Sequence, residues 1–283
     1  MRILVTGAVG MVGRAVVEHC AARGDAVFAH DRKSLDITDH EAVKLTFERE
    51  RPDAVINCAA WTDVDGCEGN ATLAYSVNSY AVENMAASCR RVRAVFVTIS
   101  TDYVFDGTKE GFYTQRDDPK PQSVYAAAKL DGERRAITAS ARTIVVRSGW
   151  IFGPFGRNFL STIMERARRG ERLKAISDAY GTPTYACDLA ARLRELAGID
   201  LPGVYHVVNG GRGVSYEEFT REAVKISGCE ECEIESVSTD TLHRPAARPR
   251  NSRLRCLLSE AIGLTALPDW ETSLRVFAKQ TAD

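Results

Sequence analysis

Short apolar runs alternate with longer amphipathic stretches through the first half of the chain, and this alternation limits the fold more than any other feature. The apolar runs have the length of strands and are RILVT (2–6), AVFAH (26–30), DAVINCAA (53–60), AVFVTIS (94–100) and TIVVRS (143–148). The stretches with a helical period lie at 11–24, 39–50, 71–91 and 123–137. Continuous apolar strands separated by helices are typical of a parallel sheet covered on both faces. The sequence therefore predicts an α/β fold with a doubly wound parallel sheet.

After Trp150 the helical patterns are separated by longer loops rich in Gly and Pro. These patterns lie at 157–170, 215–227, 254–262 and 271–279. Two segments keep the character of the first half, a helical pattern at 186–198 and a strand-like run at 202–208. We therefore expect a sheet lobe that binds a dinucleotide and a smaller C-terminal lobe that binds substrate. The expected lobes are 1–150 with 186–208 returning to it, and 151–185 with 209–283.

A glycine-rich turn directly follows the first apolar run. In ILVTGAVGMVGRAV (3–16), Gly7, Gly10 and Gly13 stand between a strand and a helix. Glycine lets such a turn close tightly and lets a pyrophosphate approach the backbone, where the free N–H groups of the helix bind its charge. The turn predicts a Rossmann-type dinucleotide site. The other residues expected to line it here are Met11, Val12, Ala59 and Ala60.

The residues after the second apolar run carry opposite signals about the cofactor. An acid such as Asp31 binds the ribose hydroxyls and disfavours a 2′-phosphate, whereas Arg32 and Lys33 offer positive charge to that phosphate. NADP(H) and NAD(H) therefore both stay open. Asp36, slightly further along, is expected to reach the adenine.

Residues suited to proton transfer follow the fourth run and continue into the next helical pattern. STDYVFDG (100–107) comes at the carboxyl end of that strand, so Thr101 and Asp102 are expected near the cofactor. Tyr125 and Lys129 lie at i and i+4, on one helix face. An ammonium beside the phenol, together with an oxidised nicotinamide, lowers the pKa of the phenol and lets it exchange a proton while hydride moves. The alternative is a solvated helix face with Tyr125 partly buried.

A set of motifs spread along the chain resembles the extended short-chain dehydrogenase/reductases, and among them is most similar to the dTDP-4-dehydrorhamnose reductases. The resemblance runs from residue 3 to about 277, and STDYVFDG and the GTPTYACDLA segment are its more specific parts. The motifs are TGAVGMVG, VINCAAWTDVDGCE, YSVN, STDYVFDG, VYAAAK, RSGWIFG, GRNFL, GTPTYACDLA and RPRNSRL.

This resemblance implies an NAD(P)H-dependent reductase of the C4 keto group of a nucleotide-linked 4-keto-6-deoxy sugar, with dTDP-4-dehydro-L-rhamnose as substrate and dTDP-L-rhamnose as product. It implies that Thr101 hydrogen-bonds the substrate carbonyl, Tyr125 donates the proton, and Lys129 orients the cofactor ribose and acidifies Tyr125. Asn78 matches a position that helps to hold the active-site helix. The remaining residues implied at the sites are Gly7, Gly10, Gly13, Asp31, Arg32 and Asp36 for the cofactor, and Asp102, Trp150, Asn158 and, on the ground of its charge, Arg253 or an arginine of 244–250 for the sugar nucleotide.

Two alternatives stay open on the sequence. One is another reaction on the same scaffold, 4-epimerisation or 4,6-dehydration, but the related dehydratases carry Asp-Glu after the threonine, where this chain has Asp102-Tyr103. The other is a regulatory subunit resembling the methionine adenosyltransferase beta subunit, which keeps the fold without catalysis. Because Thr101, Tyr125 and Lys129 are all retained, the sequence favours an enzyme.

Composition excludes several other classes of function. The formal net charge of −1 gives no electrostatic reason to expect nucleic acid or an anionic membrane as a partner, and no apolar run approaches the roughly 20 residues of a membrane span. The pair Cys229 and Cys232 has no second pair or nearby histidine at the spacing of a zinc site, so no metal is expected. We expect a reduced, cytoplasmic protein, with a homodimer left open.

Overall fold

The computed structural model describes residues 1–156 and 158–280. Arg157, which begins one of the helical patterns and belongs to the motif GRNFL, lies outside the described residues, as do residues 281–283. Within the described part of the chain, no helix is long and apolar enough to cross a membrane. The strands are β1 (Arg2–Thr6), β2 (Ala26–His30), β3 (Ala54–Asn57), β4 (Val95–Thr101), β5 (Thr143–Ser148), β6 (Ile151–Phe152), β7 (Leu173–Ile176), β8 (Tyr180–Gly181), β9 (Thr184–Tyr185), β10 (Gly203–His206), β11 (Val214–Ser215) and β12 (Ile234–Val237).

Several helices begin where short polar side chains accept hydrogen bonds from otherwise unpaired N–H groups. Asp39 accepts from Ala42 at the start of α2, and Ser123 accepts from Ala126 at the start of α6. The α-helices are α1 (Met11–Ala22), α2 (His40–Glu50), α3 (Val64–Gly69), α4 (Ala71–Tyr75), α5 (Ala81–Val92), α6 (Val124–Ala139), α7 (Phe159–Arg168), α8 (Ala186–Ile199), α9 (Tyr216–Ile226), α10 (Leu257–Ala261) and α11 (Trp270–Gln280).

A six-stranded parallel sheet organises the molecule, with the strand order β2-β1-β3-β4-β5-β10. Alternate side chains of β1 face opposite sides: Ile3 and Val5 pack in the core cluster with α1 and α8, and Leu4 packs in the cluster with α2 and α5. Helices therefore cover both faces, and the prediction of a Rossmann-type doubly wound sheet is confirmed. The strand order reverses at β1, so the carboxyl ends of β1 and β3 border the crevice where such sheets bind ligands.

Beyond β5 the chain forms small sheets around a second core rich in aromatic side chains. β6 pairs with β9, β7 with β12, and β8 with β11. Phe152, Phe219 and Trp270 lie in this core, with Trp150 packed against it. The run at 202–208 contains β10, which joins the main sheet beside β5, while α8 packs on α1.

The sequence predicted most of these elements but not their interruptions. The helical pattern at 71–91 is divided into α4, a π-helical turn at Ser76–Tyr80 and α5. The short strands of the small sheets after β5 and the helix α3 were not predicted, because elements of two to six residues carry too little periodicity to recognise. The boundaries of the two lobes stay a prediction.

Candidate active site

The glycine turn between β1 and α1 brings the backbone of β1 close to the backbone that follows β3. Gly7 has φ +67°, and a Cβ atom built on it would lie 2.7 Å from the nitrogen of Ala59. A Cβ atom on Gly13 would lie 2.1 Å from the carbonyl oxygen of Gly7. Gly10 precedes α1, and as a glycine it places no side-chain cap on the N–H groups at the start of this helix. The turn has the shape and the free donors that a pyrophosphate needs.

A groove of about 380 Å³ continues from the glycine turn toward the end of β2. Asp31 borders it, and its Oδ1 accepts hydrogen bonds from the backbone N–H groups of Lys33 and Ser34 and from the Ser34 hydroxyl. These bonds, the backbone bond from Ser34 above all, hold the pKa of Asp31 below its usual range. Arg14 also lines the groove, a cation that the sequence analysis missed. The side chain of Arg32 is 87% exposed, and its Nε lies 3.9 Å from Oδ2 of Asp36.

A second cavity of about 380 Å³ opens at the carboxyl ends of β3, β4 and β5. It brings together residues that the sequence assigned to different sites: Val12, Ala59 and Ala60 from the cofactor set, and Thr101, Asp102, Tyr125, Lys129 and Trp150 from the catalytic and substrate sets. Parallel strands deliver their carboxyl ends to one edge of the sheet, which is why residues so far apart in sequence meet here.

Tyr125 and Lys129 are buried side chains of α6, with 9% and 5% exposure, so the alternative of a solvated helix face is wrong. The ammonium of Lys129 donates to the carbonyl oxygen of Ile99 over 2.7 Å. Burial lowers the pKa of Lys129 to about 8, against a smaller opposing effect of Glu133. The position of the ammonium is therefore fixed by β4 rather than by the phenol.

The pKa of Tyr125 differs from the expectation of an acidified phenol. Burial raises it above its ordinary value, and the largest lowering contribution is the hydrogen bond with Thr101 rather than the charge of Lys129. The reason is that α6 enters the interior at this point, where removal of water from a phenolate outweighs the neighbouring dipoles. The phenol consequently holds its proton through the neutral range.

Thr101 and Asp102 form a buried pair at the end of β4. The Thr101 hydroxyl accepts from the N–H group of Tyr103 over 3.1 Å and lies 3.2 Å from Oδ1 of Asp102. Burial raises the pKa of Asp102 to about 6, partly offset by the Ser252 hydroxyl and by Thr101. This carboxyl group is thus one that changes charge close to neutral pH.

Tyr103 and Tyr216 complete the cavity, and neither was proposed from the sequence. Tyr216, at the start of α9, stacks on Trp150 with 3.7 Å between ring centroids, and its hydroxyl lies near that of Tyr103. Trp150 has φ 49°, a left-handed conformation that turns its ring onto Tyr216. Tyr103 follows the motif residues Thr101 and Asp102, so its place in the motif could have identified it as a site residue. Tyr216 could not be identified in this way, because only the tertiary fold brings α9 to this edge of the sheet.

Two of the expected substrate residues lie elsewhere. Asn158 caps α7 in a reciprocal pair with Ser161, and its Nδ2 donates to the carbonyl oxygen of Gly153, so its polar atoms serve the loop and the helix. Arg253 lies over the rings of Phe112 and Tyr180 and donates to Asn251. In the described part of the chain neither is among the residues that line the cavity, and a substrate contact for Asn158 and Arg253 stays a prediction.

Two arginines of the segment 244–250, Arg244 and Arg248, act electrostatically on Tyr103 of the cavity wall. Arg248 forms a two-pronged ion pair with Asp65 of α3, with both N–O distances 2.7 Å. The charges of Arg248 and Arg244 lower the pKa of Tyr103 against a larger raising effect of burial. The assignment of a phosphate partner to an arginine of this segment or to Arg253 stays a prediction.

Asn78 and Asp36 act on nearby backbone. Asn78 lies in the π-helical turn and bonds both the N–H and the carbonyl group of Trp61, at 2.9 Å each. It thereby fixes the loop that carries Ala59 and Ala60. Oδ1 of Asp36 accepts from the N–H and hydroxyl groups of Thr38. Among the described residues, no cluster of three His, Cys, Asp or Glu side chains is arranged to hold a metal ion.

A Rossmann-type sheet with a glycine turn at its switch point and a buried tyrosine and lysine beside it defines the class, an NAD(P)-dependent oxidoreductase. The family model described as the RmlD substrate binding domain matches residues 1–282. The chain belongs to this family of reductases, and the expectation of an enzyme is confirmed.

Individual relatives cover nearly the whole chain. It is 37% identical over 279 residues to a dTDP-4-dehydrorhamnose reductase of Streptomyces griseus, covering 96% of this chain and 91% of the relative. A solved dTDP-4-dehydrorhamnose reductase of Clostridium acetobutylicum superimposes with a TM-score of 0.96 at 34% identity, covering 100% of both chains. One of Bacillus anthracis, solved in complex with NADP, gives a TM-score of 0.95 at 32% identity over 99% of both chains.

Proposed function

We propose that this protein uses NAD(P)H to reduce the C4 keto group of a nucleotide-linked 4-keto-6-deoxy sugar, with dTDP-4-dehydro-L-rhamnose as substrate and dTDP-L-rhamnose as product. The observation that carries the proposal is the single cavity in which Thr101, Tyr125 and Lys129 meet residues bordering the glycine turn. The names of the relatives support the choice of sugar nucleotide, and the NADP of the Bacillus anthracis protein supports the class of cofactor.

Tyr125 is the proton donor in this proposal. A bound reduced nicotinamide supplies hydride to the carbonyl carbon. Tyr125 keeps its proton at neutral pH because burial raises its pKa. The alkoxide left at C4 is far more basic than a phenolate, so proton transfer from Tyr125 to that oxygen is favourable. A raised pKa therefore suits reduction, whereas the reverse oxidation would need the phenolate.

Lys129 and Thr101 assist Tyr125 in this proposal. One N–H of Lys129 is bound to Ile99, which leaves the other two for the ribose hydroxyls of a cofactor. The buried ammonium also stabilises the phenolate that remains after proton transfer. The Thr101 hydroxyl lies near the phenol of Tyr125 and lines the same cavity, so both groups can address one substrate oxygen.

The remaining cavity wall suits a sugar nucleotide. Trp150, stacked on Tyr216, offers an aromatic face to the sugar, and Arg248 and Arg244 offer positive charge to the diphosphate. In this proposal the cavity is closed on one side by the sheet lobe of 1–150 and on the other by the lobe of 151–185 and 209–283.

The first test is NADPH and NADH oxidation with dTDP-4-dehydro-L-rhamnose, comparing the wild type with Tyr125→Phe. Loss of a general acid lowers the rate by about 10²–10⁴-fold, while cofactor binding stays intact because the ring is kept. Tyr80→Phe is the matched control, since Tyr80 is 44% exposed. A Tyr125→Phe protein with the full wild-type rate would exclude Tyr125 as the donor.

The second test separates the substrate from the chemistry. UDP- and GDP-linked 4-keto-6-deoxy sugars are assayed beside the dTDP compound, each with both cofactors, and the highest kcat/KM is expected for the dTDP sugar. A higher value for another nucleotide would reject the proposed substrate and keep the reductase. No cofactor oxidation with any of the sugars would reject both.

A further inference from the structure

The hydrogen bonds around Thr101 leave little freedom for its hydroxyl proton. A hydroxyl group has one proton and two lone pairs. One lone pair accepts the N–H group of Tyr103 over 3.1 Å. Oδ1 of Asp102 lies 3.2 Å away, and the phenol of Tyr125 lies near the same hydroxyl, which lowers the pKa of Tyr125 against the larger raising effect of burial. The direction of the Thr101 proton therefore depends on which of these two neighbours donates.

The charge of Asp102 decides between two arrangements. An ionised carboxylate only accepts hydrogen bonds, so the Thr101 proton points at Asp102 and the free lone pair of Thr101 competes with substrate for the proton of Tyr125. A protonated Asp102 donates to Thr101 instead. Both lone pairs of Thr101 are then used, and its proton is free to point into the cavity.

We infer that Asp102 is a positioning residue, which in its protonated form turns the Thr101 hydroxyl toward the substrate carbonyl. The inference deepens the proposed function, on which it rests. It adds a second donor to the carbonyl oxygen beside Tyr125, and it predicts that catalysis weakens when Asp102 ionises, because the donor is withdrawn and a negative charge stands near the forming alkoxide.

The surroundings of Asp102 favour a neutral carboxyl group. The side chain is 3% exposed, and a Cβ atom built on Gly149 would lie 2.2 Å from its Cγ, so the group packs directly on the β5–β6 backbone. Its Oδ2 is buried without a hydrogen-bond partner of good geometry in the described part of the chain, although the Ser252 hydroxyl lies near the carboxyl group. Burial accordingly raises its pKa to about 6.

The other titratable groups facing Asp102 do not change charge near that pH. Tyr103 on its own segment, Tyr125 from α6 and Tyr216 from α9 all have pKa values raised by burial and stay neutral. Lys129 of α6 lines the same cavity, with a pKa of about 8. Arg244 and Arg248, from the segment before Ser252, keep their charge throughout. A fall in kcat/KM centred near pH 6, from Asp102, can therefore be distinguished from a fall near pH 8, from Lys129.

The test is the pH dependence of kcat/KM for the wild type and for Asp102→Asn. In the wild type kcat/KM falls as pH rises through about 6, by up to tenfold per pH unit. The amide of Asp102→Asn donates to Thr101 at every pH, so this fall disappears and the rate stays within about tenfold of the wild-type value at low pH. Asp118→Asn, an equal charge change at an exposed position, keeps the wild-type profile. An unchanged fall in Asp102→Asn, or a low rate at every pH, overturns the inference.

Infrared spectroscopy tests the same group without substrate or activity. A protonated carboxyl band is expected to disappear as pH rises through about 6 in the wild type and to be absent in Asp102→Asn. Thr101→Val removes a hydrogen bond that lowers the pKa, so the band persists to higher pH in that variant. If the wild type shows this band but reduces no sugar, the proposed function is refuted and the protonation of Asp102 is not. If the wild type shows no such band, the inference about Asp102 is refuted, whether or not Asp102→Asn folds.

Discussion

Lys129→Met is expected to make the protein more stable and less active. Lys129 is 5% exposed, and the drop of its pKa from 10.5 to about 8 corresponds to about 3 kcal/mol of penalty on the folded state when the ammonium is charged. Methionine has a similar shape without the charge, but it loses the hydrogen bond to Ile99, a contribution of about 1–2 kcal/mol. The net expectation at pH 7 is a gain of about 1–2 kcal/mol in the free energy of unfolding.

The pH dependence of stability has a definite sign. Below about pH 8 the lysine is charged in both the folded and unfolded states, so the full penalty applies. Between about pH 8 and 10.5, Lys129 is protonated in the unfolded state but mostly neutral in the folded state. The contribution of Lys129 to the stability of the wild type therefore rises with pH in this range. Lys129→Met lacks that rise, and the difference between the two proteins shrinks toward pH 10.5.

The assay is thermal unfolding followed by circular dichroism at pH 7 and pH 10, with cofactor-dependent activity measured on the same samples. A gain of about 1–2 kcal/mol raises Tm by roughly 2–8 °C in a chain of this size. Lys174→Met, at a side chain that is 68% exposed, should leave Tm nearly unchanged. If Lys129→Met is less stable than the wild type at pH 7, the reasoning from burial is refuted.

Two further predictions concern the cofactor. Gly13→Ala places a methyl group 2.1 Å from the carbonyl oxygen of Gly7, so cofactor binding, measured by NADPH fluorescence, should be lost. Gly69→Ala is the control and should bind NADPH normally, since nothing lies within 4 Å of its added Cβ atom. Equal binding by both would show that the turn does not hold the cofactor. If the exposed Arg32 turns to a 2′-phosphate, Arg32→Glu should raise KM for NADPH by about tenfold, the equivalent of about 1.4 kcal/mol, and leave KM for NADH nearly unchanged. Equal changes for the two cofactors would exclude that role.

The sequence determined the sheet and the places where chemistry can occur along it. Continuous apolar runs indicate strands that are buried on both faces, so the succession of β1 to β5 along the chain was predictable from local pattern. The glycines indicate a turn in which backbone segments approach closely. The i, i+4 spacing of Tyr125 and Lys129 indicates that the two side chains share a helix face. Each of these signals is short in range, since it depends on neighbours along the chain.

Only the tertiary structure decided which side chains meet and what charge they carry. Asn158 and Arg253 stood in suitable motifs, yet their partners in the described part of the chain are a helix cap, Asn251 and aromatic rings outside the cavity lining. Tyr216 arrives from a distant helix. The pKa values of Tyr125 and Lys129 move in the directions set by burial, because the cost of removing water depends on everything packed around a group, which no spacing along the chain records.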